Sequence, residues 1–150
     1  MNKGLLFLAH RMPYPPNKGD KIRTHHQLSY LASRHEVWCT CLVDDAHDWA
    51  WAPEVQRLCH RFVAYGLDRW TARWRGLAAA ARGRSLTERI LDDGRMRGLV
   101  DRWCDQAYFD AVVCFGSGMG PYGRLVPAGR RVLDLCDLDS LKWADYAQRR

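Results

Sequence analysis

Short apolar segments alternate with helical patterns along the chain, and this alternation constrains the fold more than any other feature. Five apolar runs bounded by polar residues predict strands at residues 5–9, 37–43, 62–65, 111–115 and 132–136. Helical patterns cover residues 21–33, 53–61, 70–81 and 86–108, and residues 44–52 are expected to form a loop. Strands that alternate with helices predict an α/β domain in which helices cover both faces of a parallel sheet.

Four of the predicted strands end in residues suited to binding. The loop 11–20 follows the first strand, and the other three ends carry Val43, Asp44 and Asp45; Gly116, Ser117 and Gly118; and Asp137, Asp139 and Ser140. In open parallel sheets, ligands bind beyond the carboxyl ends of the strands. The sequence therefore predicts a binding site at this edge of the sheet.

The composition is that of one folded domain. The chain has 150 residues, 47% of them hydrophobic and 27% charged, which fits a single globular unit. Its apolar runs are far shorter than the ~20 residues that cross a bilayer, and the N-terminal run is too brief for a signal peptide. We therefore expect a cytoplasmic protein.

The cysteines give no sign of a metal site. No CxxC pair or Cys/His zinc spacing occurs, and four of the six cysteines fall in predicted strands, where a thiol acts as a small hydrophobe. We expect reduced, structural thiols, no bound metal and no cofactor. The six are Cys39, Cys41, Cys59, Cys104, Cys114 and Cys136.

The formal charge of +6 favours an anionic partner. Basic and tryptophan side chains interleave in one stretch, at Arg69, Trp70, Arg73, Trp74 and Arg75, and an alanine-rich run follows. Such a pattern suits a helix lying on an anionic membrane surface, and equally a solvated arginine face whose tryptophans pack on the domain. No recognisable nucleic-acid-binding motif is present, so we expect no nucleic-acid partner.

A proline-rich loop connects the first predicted strand to the first helix. Gly19 lies where that helix begins, and a helix N-terminus with a glycine can bind a phosphate through backbone N–H groups. A rigid surface turn built by Pro13, Pro15, Pro16 and Gly19 is the alternative, because neither a GxGxxG motif nor a P-loop is present.

This region resembles the opening of glycosyltransferase family 4. The similarity is carried by PYPPNKGDKIRTHHQLSYLASRHEV, and it is greater to the sugar transferases of exosortase/PEP-CTERM systems in PYPPNKGDKIR, in the strand end at Val43–Asp45 and in DLCDLDSLKWADYA. The resemblance implies one Rossmann-like domain of a two-domain GT-B fold, the N-terminal domain that receives the acceptor. The nucleotide-sugar domain would lie outside residues 1–150, and this domain alone is expected to be inactive.

The resemblance also assigns roles to individual residues. Gly19 and Asp20 match the turn that approaches the donor diphosphate, and Lys21 and Arg23 would neutralise it; a solvated first helical turn is the alternative. Asp137 and Asp139 would orient the donor sugar or the acceptor hydroxyl, although Asp139 or Ser140 can simply cap the next helix. Contacts to the acceptor would come from His25, Ser117, Gly118 and Ser140.

Three functions compete on the sequence. The first is a retaining, metal-independent glycosyltransferase domain that moves a sugar from a nucleotide-sugar to an exopolysaccharide or lipid-linked acceptor. The others are a non-enzymatic module attached peripherally to the inner face of the cytoplasmic membrane, and a free-standing nucleotide-binding domain. A homodimer can form through the exposed half of the interdomain cleft, because a domain without its partner domain leaves apolar surface uncovered.

Overall fold

Five parallel strands form the central sheet of the computed structural model, which describes residues 4–68 and 86–136 together with positions 70, 71, 74 and 78. The strands are β1 (Gly4–Ala9), β2 (Glu36–Val43), β3 (Arg61–Gly66), β4 (Phe109–Phe115) and β5 (Arg130–Asp134). Their order is β3-β2-β1-β4-β5, and every neighbouring pair is parallel. This Rossmann-like α/β architecture confirms the predicted fold class.

The helices connect the strands. They are α1 (Gly19–Ala32), α2 (Ala52–Leu58), α3 (Leu86–Ile90), α4 (Gly94–Gln106) and α5 (Gly120–Leu125), with 3-10 helices at Ala46–Trp51 and Ser117–Met119. Positions 70, 71, 74 and 78 are helical, and the other residues of the helix predicted at 70–81 lie outside the described part of the chain.

Three predictions of local structure, two of helices and one of a loop, were wrong in detail. The pattern at 86–108 comprises two helices, since α3 ends at Ile90 and a new helix begins at Gly94. Asp93 caps α4 by accepting hydrogen bonds from the backbone N–H groups of Arg95 and Met96, at 2.8 and 3.4 Å. The predicted loop 44–52 contains a 3-10 helix, whose N-cap Asp45 accepts from the His47 N–H at 3.0 Å. Residues 59–61 are not helical, since β3 begins at Arg61.

Alternate side chains of each central strand enter two cores on opposite faces of the sheet. On one face, Leu6 and Leu8 of β1 belong to a cluster that includes α4 and α5, and Tyr122 is its largest fully buried side chain. On the other face, Leu5 and Phe7 belong to a cluster that includes α1 and α2. Helices therefore cover both faces, as predicted.

The strand order reverses direction between β1 and β4. From β1 the chain proceeds outward to β2 and β3, and it then returns to β4 on the other side of β1. Ala9 pairs with Phe115 at the ends of the two strands, so the next residues, His10 and Gly116, lie side by side. In doubly wound sheets, such a switch point opens a crevice at the carboxyl ends of the strands.

Candidate functional site

A cleft of about 400 Å³ opens at this switch point. It lies where the crevice of a doubly wound sheet is expected, beyond the ends of β1 and β4. The sequence-predicted site residues Asp20, Ser117 and Gly118 all line it, so the structure brings these three together. The full lining is His10, Arg11, Asp20, Thr87, Leu91, Gly116, Ser117, Gly118, Leu135 and Cys136.

His10 lines the cleft and was missed by the sequence reasoning. Its Nδ1 lies 3.1 Å from the carbonyl oxygen of Phe115, and because a carbonyl only accepts, Nδ1 carries the proton in this hydrogen bond. In the neutral ring, Nε2 is then an acceptor, and it lies 3.8 Å from Oδ2 of Asp20. The position of His10 directly after the first predicted strand was the only available signal.

Gly116 makes the approach of β4 to His10 possible. Its φ is +95°, a conformation that side chains rarely adopt, and a Cβ built there would lie 2.6 Å from Nδ1 of His10. At Gly118 a Cβ would meet Cδ1 of the Leu91 side chain. Backbone therefore forms the β4 side of the cleft at both positions.

Arg11 joins two carboxylates at the edge of the cleft. Its Nη1 donates to Oδ2 of Asp20 at 2.9 Å, and its Nη2 lies 2.9 Å from Oδ2 of Asp44 at the end of β2. Asp20 also accepts from the backbone N–H of Lys21 through Oδ1, at 2.9 Å. A carboxylate of the protein thus occupies the first turn of α1, where a bound phosphate was predicted.

Lys21 points away from the cleft lining. Its ammonium nitrogen lies 2.7 Å from both carboxylate oxygens of Asp48, and both residues are buried, at 3% and 6% exposure. Arg23 is half exposed, with its Nη2 2.9 Å from Oδ2 of Asp134, and Gln27 donates to the same oxygen at 2.7 Å. Both cations assigned to the donor phosphate are therefore paired with carboxylates.

His25 lies on α1 beside Tyr14 and outside the cleft lining. The two rings make an edge contact with centroids 5.2 Å apart. Its Nδ1 is buried and has no hydrogen-bond partner among the residues that the structure describes. Burial, with a smaller contribution from His26, lowers the pKa of His25, so the neutral ring is favoured.

Three further predicted site residues, Gly19, Trp70 and Trp74, are described by the structure and do not line the cleft. Gly19 begins α1, and a Cβ built there would meet no described atom within 4 Å. Trp70 and Trp74 are 75% and 68% exposed. Asp137, Asp139 and Ser140, and also Arg69, Arg73 and Arg75, lie outside the described residues.

The cleft is suited to polar, hydroxyl-bearing ligands. The imidazole of His10, the Asp20 carboxylate and Ser117 offer acceptors and donors beside a wall of glycine backbone. Within residues 4–68 and 86–136, no group of three or more His, Cys, Asp or Glu side chains is placed to hold a metal ion. Likewise, no helix in the described part of the chain has the length and apolarity needed to cross a membrane.

Together, the sheet order and the cleft define a Rossmann-like α/β domain with a crevice at its switch point. Comparison with known proteins adds no relative: no family model, no curated protein and no solved structure matches this chain.

Proposed function

We propose that the chain is the acceptor-side domain of a GT-B glycosyltransferase, which transfers a sugar from a nucleotide-sugar to an exopolysaccharide or lipid-linked acceptor. The cleft between β1 and β4 carries this proposal, because it gathers polar side chains at the sheet edge where Rossmann-like domains bind ligands. Retention, metal independence and the need for a second, nucleotide-sugar domain come from the family 4 resemblance. The domain alone is expected to be inactive.

The charges around the cleft favour the acceptor over the donor diphosphate. Arg11 is shared between two carboxylates, and the Lys21 ammonium is buried against Asp48. A diphosphate would meet Asp20 at the helix N-terminus, whereas different hydroxyls of a sugar can donate to that carboxylate and to Nε2 of His10. In the proposed reaction, these groups hold the acceptor while the oxygen of its reacting hydroxyl bonds to the anomeric carbon, the bond to the nucleoside diphosphate breaks, and the hydroxyl proton passes to the departing diphosphate.

The test is sugar transfer by the full polypeptide that the gene encodes, with a panel of nucleotide-sugars as donors. The Asp20→Asn variant removes one carboxylate charge from the cleft. We expect it to raise the KM for the acceptor and to leave the KM for the donor unchanged. A lower donor KM with an unchanged acceptor KM would instead place the diphosphate beside Asp20, and the absence of turnover with every donor would refute the transferase proposal.

A blocking variant tests the location of the site. Gly19→Trp places a large side chain next to Asp20, and the space around the Gly19 Cβ lets the helix form. Gly94→Trp is the matched control, because Gly94 also begins a helix, its Cβ also meets no described atom within 4 Å, and it does not line the cleft. Turnover should fall in the first variant and persist in the second.

A second candidate function has its own observation. Trp70 and Trp74 lie one helical turn apart at helical positions, and both are largely exposed. Two exposed tryptophans within an arginine-rich segment favour peripheral binding to an anionic membrane. Flotation with phosphatidylglycerol vesicles tests it: the double variant Trp70→Ala/Trp74→Ala should stay at the bottom of the gradient, and unchanged flotation would refute this role.

A further inference from the structure

Strand β5 has a bare outer edge with apolar side chains on both of its faces. It is the last strand in the order β3-β2-β1-β4-β5, so no described strand pairs with its outer side. Val132 and Leu133 point to opposite faces of the sheet, and they are 51% and 48% exposed. In β3, at the other edge of the sheet, every residue after Arg61 is partly buried. An exposed apolar edge such as that of β5 is a template for pairing with another strand.

The backbone of β5 determines which of its groups a new strand can reach. The carbonyl oxygen of Asp134 accepts from the N–H of Gly116 at 2.8 Å, so the backbone groups of Asp134 point toward β4. Successive residues of a strand point their N–H and C=O groups to alternate sides, so those of Val132 also point toward β4. The N–H and C=O groups of Arg131 and Leu133 therefore point outward, where they are open to a partner strand.

One face of β5 carries opposite charges at the two ends of the strand. Arg130, Val132 and Asp134 share this face, because side chains alternate along a strand. Asp134 is ionised against Arg23 of α1, with Oδ2 2.9 Å from the guanidinium, whereas the side chain of Arg130 is exposed and makes no ion pair or hydrogen bond among the described residues. The sequence of cation, valine and anion is self-complementary when a second β5 runs in the opposite direction.

The charges and the backbone select one register for such a pair. Outward-pointing residues must face each other, so a two-fold axis passes through a residue of β5. An axis at Val132 pairs the whole strand and places Arg130 opposite Asp134 of the second copy. An axis at Leu133 would instead place Val132 opposite Asp134, and an axis at Arg131 would place two arginines opposite each other, which is destabilising. The register centred on Val132 is therefore favoured.

We propose that the outer edge of β5 binds a second copy of this chain, as an antiparallel pair with its two-fold axis at Val132. Arg131 exchanges main-chain hydrogen bonds with Leu133 of the second copy, and the two five-stranded sheets continue into one. Because β5 runs in opposite directions in the two copies, their clefts lie at opposite edges of the joined sheet. The pairing does not rest on the proposed function, and it uses a different surface from the interdomain face.

Sedimentation equilibrium of the 150-residue chain tests the pairing. We expect twice the mass of one chain, with dissociation on dilution. Arg130→Glu places a carboxylate opposite Asp134 at both ends of the pair, so we expect it to raise the dissociation constant at least about tenfold. Arg102→Glu is the matched control, because it makes the same change of charge at an exposed residue of α4, and it should leave the dissociation constant unchanged.

Cysteine cross-linking tests the register, in a Cys136→Ser background that removes the exposed native thiol. An axis at Val132 places this residue opposite its own copy in a pair without main-chain hydrogen bonds. The two Cα atoms then lie about 4.5 Å apart, which suits a disulfide. We expect oxidised glutathione to cross-link two copies of the Val132→Cys variant. Leu133→Cys should cross-link much more slowly, since Leu133 lies opposite Arg131.

Three results would overturn the proposal. The mass of a single chain at every concentration would assign the outer edge of β5 to another segment of the same polypeptide. A dimer that Arg130→Glu leaves intact, or that Arg102→Glu weakens equally, would place the contact on another surface. Faster cross-linking of Leu133→Cys than of Val132→Cys would exclude the register that the charges select.

Discussion

Replacing Lys21 with methionine distinguishes a structural role from a ligand-binding role for this residue. The ammonium lies 2.7 Å from both oxygens of Asp48, and the two side chains are only 4% and 9% exposed. Lys21→Met therefore leaves a buried carboxylate without its partner, which costs about 3–5 kcal/mol of the free energy of unfolding. A domain of ordinary stability has only about 5–15 kcal/mol, so the loss is readily measured by urea denaturation followed by circular dichroism.

A double variant separates the penalty of the unpaired charge from the net value of the ion pair. Replacing both residues by apolar ones, Lys21→Met/Asp48→Leu, removes the buried charge as well, and such replacements are often close to neutral. We expect the double variant to recover most of the stability lost in Lys21→Met, with a coupling free energy of roughly 3 kcal/mol between the two positions.

Lys18→Met is the matched control, because Lys18 is an exposed lysine one turn earlier in the same segment. It should change the free energy of unfolding by no more than about 0.5 kcal/mol. A cost below about 1 kcal/mol for Lys21→Met would refute the buried-pair reasoning. If such a variant also lost affinity for nucleotide-sugars, Lys21 would have the phosphate-binding role that the sequence predicts.

Three further predictions concern the backbone, the histidine on α1 and the thiols. Gly116→Ala should destabilise the domain by about 2 kcal/mol or more in urea denaturation, because its φ of +95° and the nearby His10 ring exclude a Cβ; a neutral result would contradict this backbone geometry. Because the pKa of His25 is lower in the folded state, this side chain contributes its full stability at pH values above its unfolded pKa of about 6.5. That contribution is lost as the pH falls through 6.5 toward the folded pKa. His25→Gln should therefore lose less stability than the wild type between about pH 7 and pH 5, and parallel pH profiles would refute the assignment. Burial raises the pKa of both the Cys39 and Cys41 thiols, so iodoacetamide should alkylate neither in the native protein at about pH 8, as read by mass spectrometry, and native labelling of either would contradict their burial.

Much of the fold could be predicted because the three central strands, β1, β2 and β4, are mostly buried. Continuous apolar runs located all five strands, with bounds that differ from the structure by a few residues at most. The break between α3 and α4 was not foreseen, since the apolar pattern continues across it while Asp93 caps the second helix. Helix α5 was missed because it is only six residues long and contains two glycines and a proline.

The site was only partly predictable for a physical reason. Residues that follow parallel strands lie at one edge of the sheet. This rule correctly predicted that Asp20, Ser117 and Gly118 lie together, since all three line one cleft. The partners of charged side chains depend on contacts between segments that are distant in sequence, and the hydrophobic periodicity of the sequence does not predict such contacts. Lys21 meets Asp48 across 27 positions of sequence, and its burial follows from that pairing. The sequence therefore indicated where the site lies but did not indicate which of its charges are already neutralised.

The pairing of the cations determines what this edge of the sheet can bind. Arg11, Lys21 and Arg23 each contact a carboxylate, and Asp20 occupies the N-terminal turn of α1. A diphosphate would have to displace these ion pairs, and each displacement leaves a carboxylate near the phosphate oxygens. A sugar hydroxyl donates a hydrogen bond to one of the same carboxylates without displacing a cation. The overall charge of +6 is thus a poor guide to this edge, where the local arrangement of charges favours neutral, hydroxyl-rich ligands.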